Sequence, residues 1–280
     1  MGPSLKPIVA VSLFLAAGPV LAQDSPLADW DVVRDPAKKT IMAYTAFDVG
    51  IGIGVRCVDG GLEALISGLP ADSADLRVIG TAFADDERIS DQQWNVAVDN
   101  TVAVSRLPAP FARKLREGGQ LQLRIAGGGE GGRNLRYVLD LPASNAAIDE
   151  TLTACDRPLV DPRDALLAAV GDDGLPTNLT WLKRPRPDYP GVPKYERGFA
   201  VVSCIADPQG RPQECVVETE HPRDAGFGQA TLRAAREARL TNSLNPDAEI
   251  TPSRFIFTAN YNVVDAPPGP TIPSRIRRSD

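Results

Sequence analysis

Val201-Val202-Ser203-Cys204-Ile205-Ala206-Asp207-Pro208-Gln209-Gly210-Arg211-Pro212-Gln213-Glu214-Cys215-Val216-Val217 decides how the second half of this 280-residue chain folds. Two apolar runs rich in β-branched residues flank Asp207-Pro208-Gln209-Gly210. Proline at the second turn position presets φ, and Gly210 at the fourth accepts a left-handed backbone. The pattern predicts two antiparallel strands joined by a four-residue turn. Cys204 and Cys215 then fall on neighbouring strands, close enough for a disulfide if a small bulge adjusts the register.

Beyond the hairpin, residues 226–240 are rich in Ala, Leu and Arg and read as a helix. Phe227, Ala230, Ala234, Ala235 and Ala238 make its apolar stripe, with Thr231 beside it. A last strand follows, Arg254-Phe255-Ile256-Phe257-Thr258-Ala259-Asn260-Tyr261, within residues 253–263. Its alternation buries Phe255 and Phe257 on one face.

These parts occur in a set order. Tyr189-Pro190 comes first, then Gly198 before a strand, the Asp-Pro-x-Gly hairpin, a Glu/Pro loop, Gly226-Phe227-Gly228 before the helix, and the closing Phe-x-Phe strand. In this, the segment 181–264 resembles the C-terminal domain of the TonB energy-transducer family, in a disulfide-bearing version. The resemblance covers about a third of the chain. It implies an antiparallel sheet with a packed helix, a non-enzymatic role, no cofactor, and docking by strand addition. Arg254, Phe255, Ile256, Phe257, Thr258, Ala259, Asn260 and Tyr261 are the partner-binding strand in that reading. The implied partner is an extended peptide of an outer-membrane receptor or envelope protein, which connects the chain with TonB-dependent transport. The family's Arg/aromatic-x-Pro after the helix is replaced here by Leu240-Thr241-Asn242-Ser243-Leu244-Asn245-Pro246. The family's transducers also have an N-terminal membrane helix and a long Pro-rich spacer, whereas the spacer-like segment here is short. The expectation is a soluble relative, or a module recruited to another envelope task.

Residues 1–22 carry Lys6, then an uncharged apolar run ending Val20-Leu21-Ala22. This reads as a secretory signal peptide cut after Ala22. The uncharged stretch 7–23 has 17 residues and includes Pro7 and Pro19, short for a span of about 20. Cleavage leaves 29 Lys and Arg against 36 Asp and Glu, a net charge of −7. No basic surface for nucleic acid follows from that balance. Export to an oxidising periplasm lets disulfides persist. Four cysteines allow three connectivities. The hairpin favours Cys204–Cys215, which leaves Cys57–Cys155 to tie the first domain end to end.

The first domain, 23–161, contains short alternating runs at 30–33, 41–45, 51–57, 62–66, 76–79, 93–98, 101–104, 121–125 and 135–139. Asp59-Gly60-Gly61 signals a hairpin. Residues 108–117 read as a helix ended by Gly118-Gly119, and a second helix over 144–153 brings Cys155 towards Cys57. Such spacing predicts a β-sandwich or barrel-like sheet. This half resembles secreted bacterial β-rich domains that begin with Trp and pair a strand Cys with a helix Cys, as in the invasion-associated locus B and type VI secretion accessory families. That resemblance carries no functional residue. Residues 162–180 form a linker with a helical turn or two at 164–170, and 265–280 read as a disordered tail. The fold class expected is α+β, a sandwich-like β domain followed by the TonB-like domain.

Several motifs invite chemistry and lack its requirements. Gly127-Gly128-Gly129-Glu130-Gly131-Gly132 has no Lys-Ser/Thr ending and precedes a strand, where a phosphate loop needs a helix N-terminus. His221, the only histidine, has no nucleophile motif to serve. Asp85-Asp86-Glu87 with Asp91 does not fit an EF-hand. There is no Cys-x-x-Cys, so a zinc site is not expected. Asn178-Leu179-Thr180 is a formal glycosylation sequon. Lys183-Arg184-Pro185-Arg186-Pro187 and Arg275-Ile276-Arg277-Arg278 are solvated basic stretches or contacts for anionic partners. The alternatives to partner docking are a structural or secretion-system accessory role and a hydrolase in a cleft of the first domain. The sequence fixes no oligomeric state.

Overall fold

A computed structural model describes residues 29–262 apart from 72–75, 85, 87, 98–99, 192–194 and 196. The signal peptide, the tail and Val263 lie outside the described residues. The first half runs β1 (Asp31–Asp35), β2 (Thr40–Ala46), β3 (Gly52–Val58), β4 (Gly61–Ser67), β5 (Leu76–Phe83), β6 (Ser90–Val96), β7 (Ala103–Ser105), α1 (Pro108–Leu115), β8 (Gln120–Ile125), β9 (Leu135–Asp140) and α2 (Ala146–Ala154). Every alternating run of the sequence gives a strand, and the chain as a whole is α+β and built on antiparallel pairing.

The pairing differs from a sandwich. All nine strands hydrogen-bond in one sheet, in the order β1-β2-β3-β4-β7-β6-β5-β8-β9. The link between its two parts is brief: β7 meets β4 only through Leu65↔Val104 and Ile66↔Ala103. Helices α1 and α2 pack on this sheet, where a sandwich would place a second one. Phe111 of α1 meets Trp94 edge-on at 5.1 Å between centroids. Alternation marks which face of a strand is buried but not which layer covers it. The tight β3–β4 turn uses Asp59 at φ 49° and Gly60 at φ 82°, the two left-handed positions of a type I′ hairpin. Helix α2 ends at Cys155, which is bonded to Cys57 on β3 with Cα atoms 5.5 Å apart.

A 3₁₀ stretch, Pro162–Ala169, leads into the second half. There follow β10 (Leu179–Lys183), β11 (Arg197–Ala206), β12 (Pro212–His221), α3 (Phe227–Arg236), β13 (Arg239–Asn242) and β14 (Ser253–Asn262). Strands β12, β11 and β14 form a three-stranded antiparallel sheet in that order. The turn forms where expected: Gly210 has φ 72°, its amide donates to the Asp207 carbonyl at 2.9 Å, and Asp207 Oδ1 accepts the Arg211 amide at 2.8 Å. The register slips between Ser203 and Ile205. That slip sets Cys204 against Cys215 with Cα atoms 4.1 Å apart, and they are disulfide-bonded.

Helix α3 lies on the face that holds Val202, Cys204 and Phe255 and contributes Leu232 and Ala235 to their cluster. It stops at Arg236, short of the expected 240. Beyond it, the Leu240 amide donates to the Gly210 carbonyl at 2.9 Å, and β13 pairs with β10 in a separate two-stranded sheet. Helix propensity is outweighed there by pairing and by burial of Leu240. The same pairing draws residues 179–180 out of the expected linker into a strand.

The Phe227 ring stacks on Tyr261 at 4.3 Å and meets Tyr189 edge-on at 5.4 Å. A Cβ on Gly198 would lie 2.1 Å from that ring and 2.7 Å from the His221 carbonyl. Gly198→Ala should therefore cost about 1–3 kcal/mol through overpacking. Denaturant unfolding measures this, and a midpoint equal to that of the native chain would contradict the packing described.

Candidate functional site

An edge strand offers unpaired N–H and C=O groups only on alternate residues. β14 is such a strand, paired to β11 from Arg197↔Asn262 to Ala206↔Ser253 and, among the described residues, to no strand on its other side. The Ile256 amide points away from β11, because it donates to the Gly174 carbonyl at 2.7 Å. By alternation, Thr258, Asn260 and Asn262 also turn their backbone groups outward, while Phe255, Phe257, Ala259 and Tyr261 face β11. The edge is thus divided. The linker loop at Gly174 covers it at Ile256. Among the described residues nothing forms a backbone hydrogen bond to the outward groups of Thr258 and Asn260.

The side chains of the expected partner strand separate accordingly. Phe255, Phe257, Ala259 and Tyr261 are buried towards α3. Trp181 of β10 meets Phe255 and Phe257 edge-on at 5.5 and 6.1 Å. The Tyr261 hydroxyl lies 2.7 Å from Thr231 Oγ1, and burial raises its pKa. These rings hold the strand in place and are not on offer to a partner. Ile256, Thr258 and the exposed Asn260 occupy the other face.

Arg254 departs furthest from expectation. Its side chain is 1% exposed and sits in an ionic network. Nη2 donates to Glu218 Oε1 at 2.8 Å and to Ser203 Oγ at 3.2 Å, and Nη1 donates to Asp164 Oδ1 at 2.9 Å. Glu218 occupies a second register slip, between the Val201↔Thr219 and Val202↔Val217 pairs, and a bulge there aims its carboxylate inward. Asp164 also accepts Arg113 Nε at 2.5 Å and Nη2 at 2.9 Å. Arg113 belongs to α1, so this carboxylate joins the two halves through the linker. Arg163 donates Nη2 to Asp161 Oδ2 at 2.6 Å, and Arg113 Nη2 lies 3.6 Å from the same oxygen. Three guanidinium groups face three carboxylates.

The free part of β14 borders a cleft of about 550 Å³ between the halves. Ile256, Phe257 and Thr258 line one side with the linker loop 170–174, Trp181 and Arg184. Val78 and residues 90–93 of the large sheet line the other, with Arg106 and Leu107. The first half therefore supplies a wall that no motif in the sequence announced, because β5 and β6 reach β14 only through tertiary packing.

The remaining candidates fall elsewhere. His221 ends β12 and stacks on Phe199. The glycine run lies in the turn between β8 and β9, with Gly127, Gly131 and Gly132 at positive φ. Asp86 accepts the Phe83 amide and Asp91 pairs with Arg124, while Asp85 and Glu87 lie outside the described residues. Lys183 pairs with Glu237 on the surface, and the basic stretch at 275–278 lies outside the described residues. Asn178 and Thr180 of the sequon are exposed. Ser203 Oγ donates to Glu218 Oε1, and the residue is fully buried. Among the described residues no group of three or more His, Cys, Asp or Glu side chains is placed to hold a metal, and no helix is long and apolar enough to cross a membrane. Two disulfides and no free cysteine among the described residues suit an extracytoplasmic compartment. Comparison of the chain with protein-family models, with curated proteins and with solved structures found no match.

Hydrogen bonds from Arg163, with the charges of Arg163 and Arg113, hold the Asp161 carboxyl at a pKa of about 2, below the ordinary 3.8, against the opposing effect of burial. A depressed carboxylate pKa contributes stability that is complete above the unfolded value and lost as pH falls through the folded one. Unfolding free energy should therefore drop between about pH 4 and pH 2, by up to about 2 kcal/mol from this group. Asp161→Asn should flatten that part of the profile. An unchanged acid limb in the variant would contradict the pairing.

Proposed function

We propose that the chain is a non-enzymatic periplasmic interaction protein that captures an extended segment of an outer-membrane receptor or envelope protein on the free edge of β14. The observation that carries this reading is the divided edge. Among the described residues Thr258 and Asn260 present outward backbone groups with no backbone partner, Thr258 beside the cleft, while the strand itself is anchored by buried aromatic rings. An added strand gains affinity from main-chain hydrogen bonds and specificity from alternate side chains. The second half agrees with the TonB-like resemblance in its hairpin, in the helix between the second and last strands, and in placing the last strand at the sheet edge. The signal peptide read in the sequence and the two disulfides support the periplasmic part of this reading. A scaffold role has one observation on its side: the Gly174 carbonyl already occupies the edge at Ile256.

Proline removes a ladder donor. Phe257→Pro would remove one that faces β11 and so damages the fold itself. Thr258→Pro removes one that faces outward. Affinity recovery from envelope extracts should return an outer-membrane receptor or envelope protein with the native chain and lose it with a folded Thr258→Pro variant. Recovery of the same partner by both would contradict strand addition.

A further inference from the structure

Strand pairing leaves the opposite wall of the cleft without a role. Arg106 sits on that wall, between β7 and α1. Its Nη1 donates to Gln93 Oε1 at 2.6 Å, a neutral acceptor. Its Nε is buried and has no hydrogen-bond partner. No carboxylate pairs with it among the described residues. Burial pushes the guanidinium pKa below its ordinary value. A partly desolvated cation without a counter-charge is costly, and a planar guanidinium is matched best by a carboxylate.

The acids of the same cleft do not answer it. Asp91 is engaged by Arg124, and Asp173 Oδ1 accepts the Leu175 amide at 3.0 Å. Asp172 is exposed on the linker loop. Arg184, on the wall with Trp181, is exposed and forms no ion pair among the described residues. Positive charge is therefore unspent within the cleft and negative charge stands at its rim.

We infer that the cleft selects an extended protein segment bearing an aspartate or glutamate side chain, whose carboxylate docks on Arg106 while its backbone lies along Thr258 and Asn260. The backbone half of this rests on the strand-addition reading, whereas the carboxylate half depends on Arg106 alone. The large sheet thereby sets specificity for a partner that the small sheet holds. A carboxylate directed at the linker loop instead would meet Asp172 and be disfavoured.

The test uses an array of short acetylated and amidated peptides of alternating Thr and Val, with one Asp moved through the sequence and a matched Asn series. The native chain, Arg106→Gln, Arg106→Lys and Thr258→Pro are compared, each first shown by circular dichroism to be folded. The native chain should prefer Asp over Asn at one position on the order of tenfold, as for a charge-assisted hydrogen bond. Arg106→Gln should abolish the preference while keeping the binding common to both series, Arg106→Lys should keep part of the preference, and Thr258→Pro should weaken both series alike. Binding lost in Thr258→Pro, with no Asp preference or one that survives Arg106→Gln, would overturn the carboxylate site and leave strand addition standing. A preference that depends on Arg106 in a chain indifferent to Thr258→Pro would keep the carboxylate site and remove the pairing. No binding by any peptide would overturn both.

Discussion

Arg254 and its carboxylates are the contact on which the rest of the second half depends. Its guanidinium is nearly inaccessible to water and spans Glu218 on β12 and Asp164 in the linker. Asp164 passes the connection to Arg113 of α1. A charge removed from water needs both an opposite charge and directed hydrogen bonds. Here three cations and three anions share that role: Asp164 is held by both Arg254 and Arg113, and Asp161 lies between Arg163 and Arg113, while Arg254 Nε is left without a partner. Such a network is weak grounds for high stability, because well-packed apolar residues could replace it. Its consequence is positional: it fixes the linker relative to β14, and with it the relation between the two halves.

That fixed linker shapes the site. The 3₁₀ stretch ends near Val170, and the chain turns back through Gly171 and Gly174, whose carbonyl reaches Ile256. A Cβ at Gly174 would lie 2.2 Å from the Ile256 carbonyl, so the loop lies flush against the strand. The strand is covered on one face by α3 and Trp181 and on the other by the buried network. What remains of it for a partner is its backbone edge beyond Ile256, together with the side chains that border the cleft. The large sheet supplies the facing wall, so the two halves line one cleft where the sequence suggests two separate modules.

Much of this was readable before the structure, and the reason differs from part to part. Turn chemistry is local, so Asp207-Pro208-Gln209-Gly210 and Asp59-Gly60 fixed their hairpins. The first of these also implied the Cys204–Cys215 bond, down to the bulge it needs. Period-two alternation is local too, and it located the strands and the inward set Phe255 and Phe257. Pairing between distant strands is not local. Nothing in 62–66 or 101–104 says that β4 meets β7 through two residue pairs, so the sequence points to a sandwich or barrel-like sheet without giving the single nine-strand order. Ala and Arg propensity is visible in sequence and extends the expected helix to 240, while the competing bond from the Leu240 amide to the Gly210 carbonyl is not visible there. The resemblance puts Arg254 in the partner-binding strand, and its burial is not visible in sequence because its partners come from the linker and from a bulge. Arg106 gave no signal at all: its importance lies in the carboxylate it lacks, which only a folded neighbourhood reveals.

The division of the β14 edge is the claim most directly open to measurement, by amide hydrogen exchange resolved along the strand. Phe257, Ala259 and Tyr261 should be protected through β11, and Ile256 through the Gly174 carbonyl. Thr258 and Asn260 should exchange much faster than these neighbours, because their amides face open space. Rapid exchange at those two positions between protected ones would establish a strand half covered and half free. Protection at Thr258 and Asn260 equal to that of Phe257 would mean that the edge is already occupied, and the account of capture would fail.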